Sequence, residues 1–196
     1  MSKNWFLNKE IFKNKLKYYL LKIAPKGFVF SIELKNNIKY KLRGRFADKT
    51  VFKEVWLKNI YNQFGVKVEE GDLVIDIGAH IGIFSTYAAE KNKSGKIFSF
   101  EPFHDNFKRL KFHKNLNNKS NIKELNLGVA GENGKKSFYV NSKNSGGHSF
   151  IKNVDRKKEI EIETIRLSDF CKKEKIKKID FLKIDCEGAE FEIFQK

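Results

Sequence analysis

The chain has 196 residues, of which 40 are Lys or Arg and 24 are Asp or Glu, giving a formal net charge of +16. That length holds one domain with a real core. It contains no run of about 18 apolar residues, which excludes a transmembrane helix, and Met1 to Glu10 lack the apolar core of a signal peptide. Cys171 and Cys186 stand in no metal-ligand spacing, which suits a reducing cytoplasm and a metal-free or carboxylate-only site. The positive charge is mostly lysine, spread along the chain, with arginine scarce and Asn, Ile and Phe abundant. This is how an AT-rich genome writes a protein. Scattered lysine makes no focused field, so nucleic acid is disfavoured as a partner.

In chain order, Ile11, Phe12, Leu16, Tyr19, Leu20 and Ile23 fall at helical spacing between lysines, and Pro25 and Gly27 end that helix. A basic amphipathic helix either docks its apolar face on its own domain or rests on an anionic membrane; docking is the expectation. Phe28, Phe30, Ile32 and Leu34, then Ile38, Tyr40 and Leu42, alternate with polar residues around Asn36-Asn37 and predict a β-hairpin. Asp48 or Thr50 is expected to cap a helix over Val51 to Phe64. Residues 1–65 are therefore predicted to form an α+β cap, and residues 66–196 the core.

The core opens with the most informative run in the chain. Leu73 to Ile77 has the length and branching of a buried parallel strand. It leads into Asp76-Ile-Gly78, with Gly82 four residues later and a predicted helix over Ile81 to Lys91. Gly78 allows a sharp turn and close approach of a ligand to the backbone. Gly82 is expected to let the helix start pack close to the strand. A dinucleotide site shows G-x-G-x-x-G with a pyrophosphate at the helix start. Here the form is D-x-G-x-x-x-G with His80 between the glycines, as in sites for S-adenosylmethionine. A second strand, Lys96 to Phe100, ends in Glu101, placed to accept hydrogen bonds from two ribose hydroxyls. Capping of the helix near Phe103 is the plainer role for the same residue.

A helix over Asn106 to Asn117 and strands over Ile122 to Leu127, Ser137 to Val140 and Ile160 to Ile165 follow. Asn141 to Ser149 is polar and glycine-rich, a loop by composition. Leu167 to Lys173 reads as a short helix capped by Ser168. Asp180 to Asp185 reads as a buried strand, and Glu187-Gly-Ala-Glu190 opens a last helix.

Four of these segments together resemble the FkbM-type methyltransferases: Asp76-Ile-Gly-Ala-His-Ile-Gly82, Phe100-Glu-Pro102, Gly146-Gly-His-Ser149 and Lys183-Ile-Asp-Cys-Glu-Gly-Ala-Glu190. The last is the most specific. The resemblance runs from about Phe46 to the end. It implies an α/β fold with the Rossmann-like, mostly parallel sheet of class I methyltransferases, with S-adenosyl-L-methionine as cofactor and a hydroxyl of a sugar, glycan or secondary metabolite as acceptor. It also implies that Asp76, Gly78, Ala79, His80 and Gly82 surround the cofactor's methionine portion and that Glu101 holds its ribose. Many relatives carry Asn where this chain has His80; either side chain can hydrogen-bond at that turn. The family's sheet continues with three more strands after the helix that Glu187 opens, whereas this chain stops at Lys196, so the expectation is a sheet lacking its last strands.

Asp185 and Glu187 match the acidic pair at the end of the fourth core strand. Neighbouring carboxylates repel, which favours one of them as a base. Capping of the last helix is the plainer role for either residue, and the two roles can coexist. His148, on a loop placed to close over the site, is a second candidate base. Lys183 is placed either to balance the acidic pair or to bury its stem against the sheet. Two other function classes stand beside this one. A nucleic-acid methyltransferase would carry an N-P-P-Y type motif where this chain has Asp185-Cys-Glu-Gly. A non-catalytic cofactor-binding module is the other.

Overall fold

The structure is a computed structural model that describes residues 10–141, 147–151, 155, 158–186 and 190–194. Its centre is a four-stranded parallel sheet of order β5-β4-β3-β9, made of β3 (Leu73–Ile77), β4 (Lys96–Phe100), β5 (Ile122–Leu125) and β9 (Phe181–Ile184). Helices α3 (Ile83–Lys91) and α4 (His104–Leu116) make the crossovers between β3, β4 and β5. Successive strands lie side by side until β9 returns to the other flank of β3. The chain order therefore reverses between β3 and β9, the place where open α/β sheets hold ligands.

The central strands β3 and β4 are mostly apolar because both faces are covered. Val74 and Ile97 pack with Ile83, Phe84 and Ala88 of α3 on one side. Ile75, Ile77, Phe98 and Phe100 face Val129, Phe170 and Ile193 on the other. Phe170 belongs to α5 (Leu167–Lys173) and meets Phe98 and Phe100 edge-on at 5.1 and 4.8 Å. Ser168 lies inside the first turn of α5, and Arg166 precedes the helix without a side-chain cap bond. The predicted Ser168 cap is thus corrected. A second sheet of order β6-β8-β7 comprises β6 (Gly128–Val129), β7 (Gly134–Val140) and β8 (Lys158–Ile165), with β7 antiparallel and β6 parallel to β8. A last helix, α6, spans Glu190–Phe194.

The N-terminal elements share the α3-side core. The hairpin β1 (Val29–Glu33) and β2 (Lys39–Arg43) forms as predicted, with Asn37 left-handed at φ 67 in its turn. The first helix does not form as predicted. Ile11 closes a 3-10 turn and Phe12 bridges Leu34 of the hairpin, with Lys13 N–H donating to Glu33 O and Lys35 N–H donating to Ile11 O. Only α1 (Lys15–Leu20), capped by Asn14, is α-helical. This shift in phase buries Phe12, Tyr18 and Leu21 and leaves Leu16, Tyr19 and Ile23 exposed. The second helix, α2 (Asp48–Phe52), continues as one π-helical turn over Lys53–Leu57 and then stops, short of the predicted Phe64. It stops because Asn59 turns left-handed at φ 51, where its side chain accepts from the Tyr87 hydroxyl. Nor does Asp48 or Thr50 cap it: Asp48 folds back onto Arg43.

Helix α4 serves as the missing neighbour of β2. The Asn117 amide exchanges two hydrogen bonds with the backbone of Lys39, and His113 Nε2 accepts from Lys41 N–H at 3.0 Å. The other nitrogen of His113 then carries the proton and donates to Ile81 O at 2.7 Å. Burial pushes this histidine down to about 4, so it stays neutral at physiological pH.

Within the sheet, Asp76 on β3 and Lys183 on β9 are directly opposite in register. Both are buried and their charged groups are 3.0 Å apart. Burial drives the ammonium toward losing its proton, but the Asp76 carboxylate outweighs this and holds Lys183 above the ordinary lysine range. Removing one partner strands a buried charge. Lys183→Met should therefore cost about 3–5 kcal/mol in urea denaturation. The double variant Asp76→Asn/Lys183→Met, which buries no charge, should lose distinctly less. Equal losses would show that the pair does not act as a pair.

Candidate functional site

The end of β3 enters the turn that leads to α3. Gly78 is left-handed at φ 77, and the N–H groups of Gly78 and Ala79 both donate to Phe100 O, drawing the turn over the end of β4. A Cβ on Gly78 would run into the carbonyl oxygen of Asp185, so only glycine fits where the loops after β3 and β9 meet. Asp185 is itself pinned there by its N–H to Ile77 O. Gly82, at φ 80, has a different role from the one expected. A Cβ there would strike Leu110 of α4, so this glycine sets the approach of two helices rather than of helix and strand.

Glu101 sits just past the end of β4 and is 5% exposed. Its two carboxyl oxygens accept from His80 N–H at 2.7 Å and Phe103 N–H at 2.9 Å. It thus ties the glycine turn to the start of α4, and the capping role coexists with a place on the cleft wall. Burial pushes its carboxyl up to about 8, against the lowering effect of those two donors.

These groups border a cleft of about 480 Å³, solvent included. Gly78, His80 and Glu101 line one side, and Leu127, Gly128 and Val129 contribute apolar surface. Asp185, Cys186 and His148 also face it. Asp76, Ala79 and Gly82 do not line it. Asp76 lies beneath, accepting from Ser85 Oγ at 2.6 Å and facing Lys183, whose ammonium also donates to Gly78 O at 3.2 Å. Lys183 therefore balances Asp76 first; its ammonium is 3.8 Å from Asp185.

His80 is buried in a left-handed conformation at φ 52. Contrary to expectation, its ring makes no hydrogen bond at the turn; both ring nitrogens are buried and unpartnered. Nε2 stands 3.9 Å from Asp48 Oδ1, and burial pushes the ring down to about 3, leaving it neutral. Asp48 is held by Arg43 through the backbone N–H and a bidentate guanidinium contact, with bonds of 2.7 and 2.9 Å. Sequence reading missed this buried pair, because Arg43 falls on the polar alternation of a hairpin strand.

His148 is buried against Phe103, with ring centroids 4.3 Å apart. Its Nδ1 accepts from Asn141 N–H at 2.9 Å, which places the proton of the neutral ring on Nε2. The Asp185 side chain is 60% exposed, beside the cleft. Glu187, Gly188, Ala189 and Gly146 lie outside the described residues. The described geometry thus brings Gly78, His80, Glu101, His148 and Asp185 to one cleft, at the carboxyl ends of β3, β4 and β9. No helix among the described residues is long and apolar enough to cross a membrane.

Comparison with known proteins adds the following. The chain is 24% identical over 164 residues to "Methyltransferase 1" of Beauveria bassiana (strain ARSEF 2860), covering 74% of this chain and 65% of that protein. It is 23% identical over 190 residues to "Methyltransferase sdnD" of Sordaria araneosa, covering 82% of this chain and 73% of that one. Over 52 residues it is 33% identical to "31-O-demethyl-FK506 methyltransferase FkbM" of Streptomyces tacrolimicus, which is 26% of this chain and 20% of that protein. Among solved structures, the SAM-dependent methyltransferase from Agrobacterium tumefaciens is similar over 53% of this chain and 33% of that one, at 14% identity and a TM-score of 0.37. Residues 76–196 match the methyltransferase FkbM domain model, and the chain belongs to that family.

Proposed function

We propose that this chain binds S-adenosylmethionine in the cleft at the ends of β3 and β4 and methylates a hydroxyl oxygen of a sugar-like compound or small metabolite. One observation carries the reading: the buried Glu101 carboxylate shares a cleft with the left-handed Gly78 turn at the reversal point of the sheet. The residues fit an adenosine cofactor. Gly78 brings bare backbone to the cleft wall. Glu101 uses one lone pair of each oxygen internally and keeps others for ribose hydroxyls. Leu127 to Val129 offer an apolar surface for a flat ring. The unpartnered ring nitrogens of His80 add polar groups behind the turn.

When bound, the cofactor supplies an electrophilic methyl group. The protein's task is to hold the acceptor oxygen in line with it and to remove the hydroxyl proton. Asp185 is the proposed base, a carboxylate at the reversal point whose backbone is fixed by Ile77 and Gly78. Glu187 is its proposed partner. His148 suits a different role. Its Nδ1 lone pair is engaged by Asn141, so it presents an N–H and is better fitted to orient an acceptor oxygen than to take its proton. That the Streptomyces tacrolimicus relative is named a 31-O-demethyl-FK506 methyltransferase is in keeping with an oxygen acceptor.

Glu101 gives this reading a pH signature. Ribose hydroxyls donate to the ionised carboxylate, which is the minor form below its pKa of about 8. Affinity for S-adenosylhomocysteine should rise between about pH 6 and pH 8, by at most about tenfold per unit. Binding near pH 7 should release up to one proton, read by calorimetry in two buffers of different ionisation enthalpy. Glu101→Gln should bind about tenfold or more weakly and lose the pH dependence. Identical, pH-independent binding by both proteins would remove Glu101 from the site.

The base is tested by turnover with an acceptor found by screening sugars and metabolites for a mass gain from isotope-labelled cofactor. Asp185→Asn should lose about 10²–10⁴ in rate and keep its affinity for S-adenosylhomocysteine within a few fold. A rate near wild type would assign the proton transfer elsewhere.

A further inference from the structure

Beside the cleft lies a second, wider groove of about 1580 Å³, solvent included, between the N-terminal hairpin and α4. It shares His148 with the cleft, and Phe103, whose ring packs on His148, lines it as well. Four cations face it: Lys41 and Arg43 from β2, and Lys108 and Arg109 from α4. Arg43 is neutralised by Asp48. Among the described residues no ion pair holds Lys41, Lys108 or Arg109, and Asp105 is the carboxylate that lines the groove with them. Three cations without an ion-pair partner among the described residues thus line the groove with one acid, Asp105. Arg109 is half-buried, and burial and then the nearby Arg43 charge hold its guanidinium below its ordinary range. An anion beside it would offset both effects by favouring the charged form. Phe46 and Phe112 add apolar surface between the charges, in contact with the Arg43 and Lys41 head groups at 4.4 and 5.1 Å.

The overall charge of the chain is dispersed, but here the fold gathers residues from two distant segments into one concave surface next to the cleft. Concave, like-charged walls focus field and raise the local concentration of an oppositely charged ligand. Mixed cations and aromatic rings suit a ring compound bearing an anionic group. We propose that this groove binds the methyl acceptor, and that the acceptor is a sugar-like hydroxyl compound carrying a phosphate or carboxylate. The anionic group sits among Lys41, Lys108 and Arg109, and the rest of the molecule reaches the cleft past His148. The assignment of the ligand as acceptor rests on the methyltransferase reading above; the anion site itself does not.

The test uses the whole chain, with glucose 1-phosphate, glucuronate and glucose as probes, titrated calorimetrically at about physiological salt. S-adenosylhomocysteine is titrated in parallel. At least one of the two anions should bind saturably and more tightly than glucose, the tighter one identifying phosphate or carboxylate as the preferred group. Arg109→Gln and Lys108→Gln should each weaken that binding about fivefold or more, with S-adenosylhomocysteine affinity unchanged. Lys172→Gln/Lys175→Gln, which removes charge from α5 and its end, should leave it unchanged. The proposal is overturned if neither anion binds better than glucose, or if the α5 control loses as much as the groove variants. It is also overturned if a short single-stranded oligonucleotide occupies the groove at least about tenfold more tightly than either sugar anion, which would make this a nucleic-acid surface. Failure of S-adenosylhomocysteine to bind would strike the cofactor reading and leave the anion result standing.

Discussion

The architecture of the cleft depends on one buried ion pair. Asp76 and Lys183 face each other across β3 and β9, at the end of the sheet where the chain order reverses. Two charges taken from water cost more than their attraction returns unless their remaining hydrogen-bonding capacity is met. Here it is met in part: Asp76 Oδ1 is buried against the Lys183 ammonium with no other partner, and neighbours engage the remaining groups. Ser85 Oγ donates to Asp76, and Lys183 donates to the carbonyl of Gly78. The second contact matters most, because it fastens the glycine turn to the strand that carries Asp185. With Gly78 pressed against the Asp185 carbonyl, the two loops have one mutual arrangement. These contacts fix the Gly78 and Asp185 backbones at the cleft wall, which reduces the ordering a ligand must impose there.

The same logic extends outward to the N-terminal elements. A hairpin has two edges, and β2 offers one of them to α4. His113 and Asn117, one turn apart on that helix, take the place of a neighbouring strand by bonding the backbone of Lys41 and Lys39. The arrangement needs a neutral His113, with an acceptor nitrogen on one side and a donor on the other, and burial supplies it. Docking the hairpin in this way brings Lys41 and Arg43 opposite Lys108 and Arg109. The groove is thus a product of packing and not of any local run of sequence. Between groove and cleft, Asp48 pairs with Arg43 and lies 3.9 Å from the neutral, unpartnered ring of His80.

Much of this was readable from the residues. The apolar run before Asp76, the paired glycines and the acid after Phe100 specify a strand, turn, helix, strand and carboxylate, and each falls where expected to within a residue or two. The reason is that buried parallel strands and left-handed glycines leave little choice of residue. The N-terminal helices were less legible because their limits are set from outside. Backbone bonds from Ile11 and Lys13 to the hairpin interrupt the first helix, and Tyr87 captures Asn59. No periodicity in Ile11 to Ile23 records those partners. His80 shows a different limit. The resemblance to relatives with Asn there implied a side-chain hydrogen bond at the turn, whereas the left-handed backbone turns the N–H to Glu101 and buries the ring beside Asp48. Strand β6 is two residues long, too short for any pattern.

The proposed function places an adenosine cofactor in the cleft, with its ribose on Glu101 and its reactive end between Gly78 and Asp185. The most direct measurement is a crystal structure of the chain with S-adenosylhomocysteine. The account predicts both ribose hydroxyls within hydrogen-bond distance of Glu101, the sulfur beside the Gly78 turn, and Lys183 still seated on Asp76. A ligand bound elsewhere, or a Glu101 carboxylate turned away from the ribose, would contradict it.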